Sequence, residues 1–200
     1  MTKFFTFRAT ARRLLHPGQT VRFLTHKGYW IYGKAIVRWR PFTMYDSVDL
    51  TQIPADAVAV AGYVNGKYQT FPELATRFPH AKRGSIDVLA NADADFLDVE
   101  KGDATPEHAA AWVKRQLALG RKRPGVYCSV SAVKGLLELL AAAGIPRTRI
   151  RLWTAHYTFL PHLCGPACGY GMSTTADATQ YTDIALGHKL DASLCTPRFL

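Results

Sequence analysis

The stretch Ala94-Asp95-Phe96-Leu97-Asp98-Val99-Glu100 ends an apolar run with two carboxylates two residues apart. Strand side chains alternate between faces, so Asp98 and Glu100 point one way while Leu97 and Val99 point the other. A loop follows, and then a helix start: Thr105 as N-cap, Pro106 at the first helical position and Glu107 in the first turn. A buried strand that ends in acids and leads into a helix is the unit from which an α/β barrel builds its mouth. Acids at a strand end are also often solvated, or cap the next helix. The rest of the chain has to decide between these readings.

Seven further segments have strand character. They are Met44–Leu50, Val58–Val64, Gly84–Leu89, Pro124–Ser129, Arg149–Tyr157, Ala178–Thr182 and Lys189–Ser193. Helical patterns fall at 72–78, at 106–119 (stopped by Gly120) and at 131–143 (stopped by Gly144 and Pro146). Eight strands interleaved with helices predict an α/β fold, a (β/α)8 TIM-like barrel over residues 44–200. That length is short for the fold, so a trimmed or irregular barrel is expected. No apolar run reaches the roughly 18 residues of a membrane span, and Arg8, Arg12 and Arg13 interrupt the short apolar start, so no signal peptide is evident.

Residues 1–43 differ in kind. They hold nine Lys and Arg and no Asp or Glu, and so carry almost all of the net charge of +10. Lys3–Thr10, Thr20–His26 and Tyr29–Arg40 read as β pieces separated by the turns His16-Pro17-Gly18 and His26-Lys27-Gly28. The expectation is a small basic β-rich N-terminal extension joined at Pro41-Phe42-Thr43. Such a surface suits a virion component, an anionic polymer of the cell wall, or nucleic acid bound by stacking and phosphate contacts. A solvated hairpin with no partner has the same composition.

In a barrel, Asp46 on the first strand, Asp98 and Glu100 on the fourth and Asp191 on the eighth meet at one mouth. Clustered carboxylates repel, which holds at least one of them protonated near neutral pH. A protonated acid beside an ionised one is what glycosidic bond cleavage needs. Tyr63, Tyr127, Trp153 and Tyr157 also lie at strand ends, where aromatic faces stack on sugar rings. Each taken alone fits a core position equally well.

Several of these pieces occur together in a known order. Tyr45-Asp46-Ser47, Leu97-Asp98-Val99-Glu100, Val126-Tyr127-Cys128-Ser129, Leu152-Trp153-Thr154-Ala155-His156-Tyr157, Gln180-Tyr181-Thr182 and Leu190-Asp191-Ala192-Ser193 resemble glycoside hydrolase family 25, the phage-type muramidases, and related glycoside-hydrolase-like barrels of phage or actinobacterial origin. The resemblance implies Glu100 as general acid. It implies Asp98 as nucleophile or stabiliser of positive charge, with Asp46 and Asp191 in support. Tyr63, Tyr127, Trp153, Tyr157 and Gln180 would contact substrate, the β-1,4 bond between N-acetylmuramic acid and N-acetylglucosamine in peptidoglycan. The site of action would be the cell wall, reached by phage lysis or from the particle. Ala61-Gly62-Tyr63-Val64-Asn65-Gly66 sits nearer the related barrels than the lysozymes, which keeps open a weakly active or inactive glycan-binding component of a particle.

No cofactor and no metal are expected. Cys164-Gly-Pro-Ala-Cys168 is C-x3-C rather than the C-x2-C of a zinc knuckle, and no second cysteine pair accompanies it, although His156, His162 and His188 lie nearby. A disulfide between Cys164 and Cys168, or from either to Cys195, fits an extracellular protein, and free thiols fit any other setting.

Overall fold

The computed structural model describes residues 20–24, 30–34 and 40–200. The chain divides between Arg40 and Pro41 into two units. In the first, β1 (Thr20–Leu24) and β2 (Trp30–Lys34) form an antiparallel pair, with Thr20 opposite Lys34 and Leu24 opposite Trp30. The expected β piece at Lys3–Thr10 lies outside the described residues.

The second unit is a closed eight-stranded barrel. β3 (Phe42–Asp46), β4 (Ala59–Tyr63), β5 (Lys82–Asp87), β6 (Phe96–Asp98), β7 (Gly125–Ser129), β8 (Arg151–Ala155) and β9 (Ala178–Thr182) follow one another in parallel. β10 (Asp191–Cys195) closes the ring between β9 and β3, antiparallel to both. Helices α1 (Phe71–Arg77), α2 (Pro106–Ala118) and α3 (Val133–Ala142) follow β4, β6 and β7. The expected plan of eight parallel strands and eight helices is therefore replaced by a mixed barrel with three. The reason is local. The link from β9 to β10 spans only residues 183–190, too short for the dozen or so residues that a parallel crossover requires. No helix among the described residues is long and apolar enough to cross a membrane.

Some strand ends also differ from expectation. β3 starts at Phe42, inside the expected joint, and stops at Asp46. Beyond it, the Asp49 side chain accepts from Thr51 N and Oγ1 at 2.9 and 2.6 Å and turns the chain into a short 3-10 helix (Leu50–Gln52).

Alternation sorts the side chains into layers. Phe96, Tyr127 and Trp153 point into the barrel with Met44, Ala59, Ala61 and Ala178. Leu97, Val126 and Leu152 point outward onto Trp112 and Val113 of α2 and Leu136 and Leu140 of α3. Phe199, near the C-terminus, plugs the barrel floor. Its ring stacks on Phe96 at 4.8 Å, and the Arg151 guanidinium lies 4.5 Å from the Phe96 centroid.

This packing leaves no room beneath Phe96. A Cβ on Gly125 falls 2.0 Å from Phe96 Cδ1, and Phe96 is held by Phe199, Trp153 and Arg151. Gly125→Ala is expected to cost about 3 kcal/mol, read as a lower denaturant midpoint at unchanged slope. A shift no larger than that of a surface Gly→Ala control removes this account.

Candidate active site

The parallel strands deliver Asp46, Tyr63, Asp98, Tyr127 and Gln180 to one end of the barrel, and Glu100 follows β6 by two residues. β10 reaches the same end because it runs backwards. Its first residue, Asp191, pairs directly with Asp46, the last of β3. In a strand parallel to the others, that first position would lie at the opposite end.

A pocket of about 100 Å³ opens there, lined by Asp46, Asp98, Glu100 and Asp191, with Tyr63, Tyr127, Trp153, Tyr157, Gln180 and Ile86 as its walls. All four carboxylates and all five contact residues expected from the sequence thus share one cavity. Polar contacts order the walls. Tyr127 Oη donates to Gln180 Oε1 at 2.6 Å, and Gln180 Nε2 donates to Tyr157 Oη at 3.1 Å. Trp153 Nε1 donates to Ser193 Oγ at 2.9 Å, and Tyr63 Oη reaches Asp46 Oδ1 at 3.5 Å. These bonds fix the rings. Asp46 Oδ2 and Asp98 Oδ1, however, are buried with no hydrogen-bond partner. Buried polar atoms are nearly always paired, so two open carboxylate oxygens facing one polar pocket mark a place where a ligand's donors or positive charge would be held.

No Lys or Arg lines the pocket. Burial, followed by repulsion from Asp191 and Asp98, pushes Asp46 well above the usual carboxylate range. Burial and then Glu100, Asp103 and Asp191 do the same to Asp98. Glu100, more exposed at the rim, is raised by partial burial and then by Asp103 and Asp191. Asp191 is pushed up to about 6 by burial and by Asp183. The site therefore retains protons where isolated carboxyls lose them, as acid catalysis requires. Asp103 and Asp183 are the electrostatic neighbours that sequence reasoning missed. Asp103 is returned to the rim by a turn in which its N–H bonds Glu100 O at 3.1 Å, and the Lys101-Gly102 that precedes it was the available signal.

The shift in Asp191 sets a sign for stability. Its folded pKa of about 6 exceeds the ordinary 3.8, so between those values the folded state binds more protons than the unfolded state. Stability then falls as pH rises through that window, and the loss is complete above it. Asp191→Asn is expected to raise the melting temperature more at about pH 8 than at about pH 4. Equal shifts at both would remove the electrostatic explanation.

The opposite end of the barrel carries a larger cavity of about 450 Å³, lined by Asp95, Arg121, Lys122, Arg123, Arg151 and Arg198. Its arginines are structural. Arg121 bonds Asp95, Arg123 bonds Asp177 at 3.0 Å, and Arg151 bonds the carbonyls of Arg123 and Phe199. Cys128, Cys164, Cys168 and Cys195 are free thiols, so the expected disulfide is not formed. Cys195 lies inside the barrel and Cys164 in the outer layer, which separates that pair.

No family model matches the chain, and no curated protein matches it. Among solved structures, the chain is similar to an uncharacterized B. stearothermophilus protein, with 17% identity and a TM-score of 0.54. The match covers 80% of this chain and 98% of that one. It is a likeness of fold.

Proposed function

We propose that the barrel is a glycoside hydrolase acting on cell-wall glycan, a muramidase-like enzyme cutting the β-1,4 bond between N-acetylmuramic acid and N-acetylglucosamine. The observation that carries this reading is the convergence of four carboxylates, with raised pKa values and two unpartnered oxygens, on one aromatic-walled pocket. The ordered match to the muramidase motifs supports it. So does the placement of the acids at the C-terminal ends of the parallel strands, where TIM barrels carry their active sites. We read the mixed barrel as a trimmed relative of that fold.

In this reading Glu100, at the rim, protonates the leaving oxygen. Asp98 is deeper, and its open Oδ1 faces the positive charge that develops at the sugar. That charge favours the ionised form of Asp98, so the interaction strengthens toward the transition state, as catalysis requires. Asp46 and Asp191 share the remaining protons, and Tyr127, Gln180 and Tyr157 hold one wall fixed. The test is release of reducing ends from purified peptidoglycan. Folded wild-type protein that releases none under acidic to neutral conditions overturns the proposal.

Pocket size favours a second reading. About 100 Å³ holds roughly three waters at about 30 Å³ each, less than a sugar ring. A chain of sugars must lie across the mouth, which fits a particle component that binds glycan without cutting it. That reading predicts wall sedimentation unchanged in Glu100→Gln, and no product from wild type.

A further inference from the structure

Outside the carboxylate pocket, the loop from Tyr157 to Asp177 joins β8 to β9 with only the 3-10 turn Pro166–Cys168 as regular structure. A loop of that length in a small barrel usually needs something to hold it. Its two ends bring His156, His162, Cys164 and Cys168 together, with one ligand atom of each within 4.8 Å of all the others. We infer that these four side chains form a structural zinc site that fastens the loop to the barrel.

The donors are anchored before any metal arrives. His156 directly follows β8, and its N–H bonds Gln180 O at 2.9 Å. Cys164 is tied to β9, with its N–H on Thr179 Oγ1 at 2.8 Å and its carbonyl accepting from Ala176 at 2.8 Å. Cys168 N–H bonds Gly165 O at 2.9 Å, and the chain leaves through Gly169 at φ 81°. His162 Nδ1 lies 2.9 Å from Leu160 O, a pure acceptor, so that nitrogen carries the proton. Its Nε2 lone pair therefore points into the cluster, 3.0 Å from His156 Nδ1, which is itself 3.5 Å from Cys164 Sγ. A carbonyl on the far nitrogen is the usual means of orienting a ligating histidine.

Tetrahedral zinc, with bonds of about 2.0–2.1 Å to nitrogen and 2.3 Å to sulfur, places its ligand atoms roughly 3.3–3.8 Å apart. The observed spacings need only small adjustment to meet that. Two thiolates and two neutral imidazoles also balance the charge of Zn²⁺, and the two thiol protons leave to solvent on binding. Four protein ligands fill the shell, so the site is structural and leaves no position for substrate. A Cys164–Cys168 disulfide would need neither histidine. The ligands run H-x5-H-x-C-x3-C, and the pair of histidines replaces the second cysteine pair whose lack argued against zinc in the sequence.

The test is metal analysis of the full chain purified under reducing conditions with Zn²⁺ supplied. About one equivalent of Zn²⁺ is expected, with thiolate-to-metal charge transfer and tetrahedral d–d bands on Co²⁺ substitution. Chelation should lower the melting temperature by roughly 5 °C or more and open residues 157–177 to protease. His162→Ala and Cys168→Ser, both at half-buried positions, should each lose at least about tenfold in zinc affinity, while His188→Ala keeps it. If either variant fails to fold, the Co²⁺ spectrum of the wild type decides alone. Substoichiometric zinc with no thiolate band, or a Cys164–Cys168 disulfide under these conditions, overturns the site.

Discussion

Glu100→Gln is expected to lower the rate of wall-glycan hydrolysis by about 10³-fold, the usual worth of a positioned general acid, with wall binding and melting temperature near those of the wild type. Glu100 sits at the exposed rim and Gln is close to isosteric, so the fold has little reason to respond. What changes is the proton. The carboxyl is held above its ordinary pKa by partial burial, then by Asp103 and Asp191, and an amide cannot deliver a proton to the leaving oxygen. The pH profile separates this from a general loss of function. In the wild type the rate falls as pH rises through the Glu100 pKa, because the acid form is consumed. Asp191→Asn removes one of the charges that raise Glu100, so that alkaline limb should move to lower pH. In Glu100→Gln the residual activity should show no such limb. If Glu100→Gln keeps more than about a tenth of the rate, or if Asp191→Asn moves the limb upward, Glu100 is not the acid.

Much of the second unit was legible in the sequence, because alternation and caps are local. Each of the eight strands and the three helices begins within a few residues of where the pattern places it. β10 was located but its direction was not, since direction depends on the length of the link before it and on the partners it meets. That direction is what carries Asp191 to the mouth. The acidic site was legible for the same reason as the strands: Asp98 and Glu100 share a face by period, and Asp46 and Asp191 end their strands. Composition concealed more than it told. The second unit is nearly neutral on average, yet its acids crowd one end and its arginines the other, where they hold Asp95 and Asp177. The histidine–cysteine cluster was obscured because its ligand spacing follows no knuckle pattern, and only the fold brings the two ends of that loop together.

Asp87 was legible only as a strand residue, and its removal is the largest stability effect expected in the barrel. Asp87 is fully buried at the end of β5, on the outer face. Its Oδ2 accepts from Trp112 Nε1 and Ala92 N, each at 2.8 Å. Its Oδ1 accepts from Asn65 Nδ2 at 2.8 Å and Leu89 N at 2.9 Å. One carboxyl therefore satisfies donors from α2, from the loop after β4 and from the loop after β5. The Arg115 guanidinium at 3.9 Å is partly exposed and adds little. Asp87→Ala strands four donors where water has poor access, for a cost of about 4–6 kcal/mol. Against a total stability of roughly 5–15 kcal/mol, that brings the barrel to the edge of unfolding. Asp87→Asn keeps one oxygen, so one pair of donors meets an amide N–H₂ and the cost is about 2–3 kcal/mol. Trp112→Phe removes a donor and leaves the other three bonds in place, so apart from a small packing change it should cost about 1–2 kcal/mol. The order Ala, Asn, then Trp112→Phe in denaturant midpoint is the signature of an acceptor hub. If Asp87→Ala is no worse than Trp112→Phe, the donors are finding water and the hub is not what holds these loops.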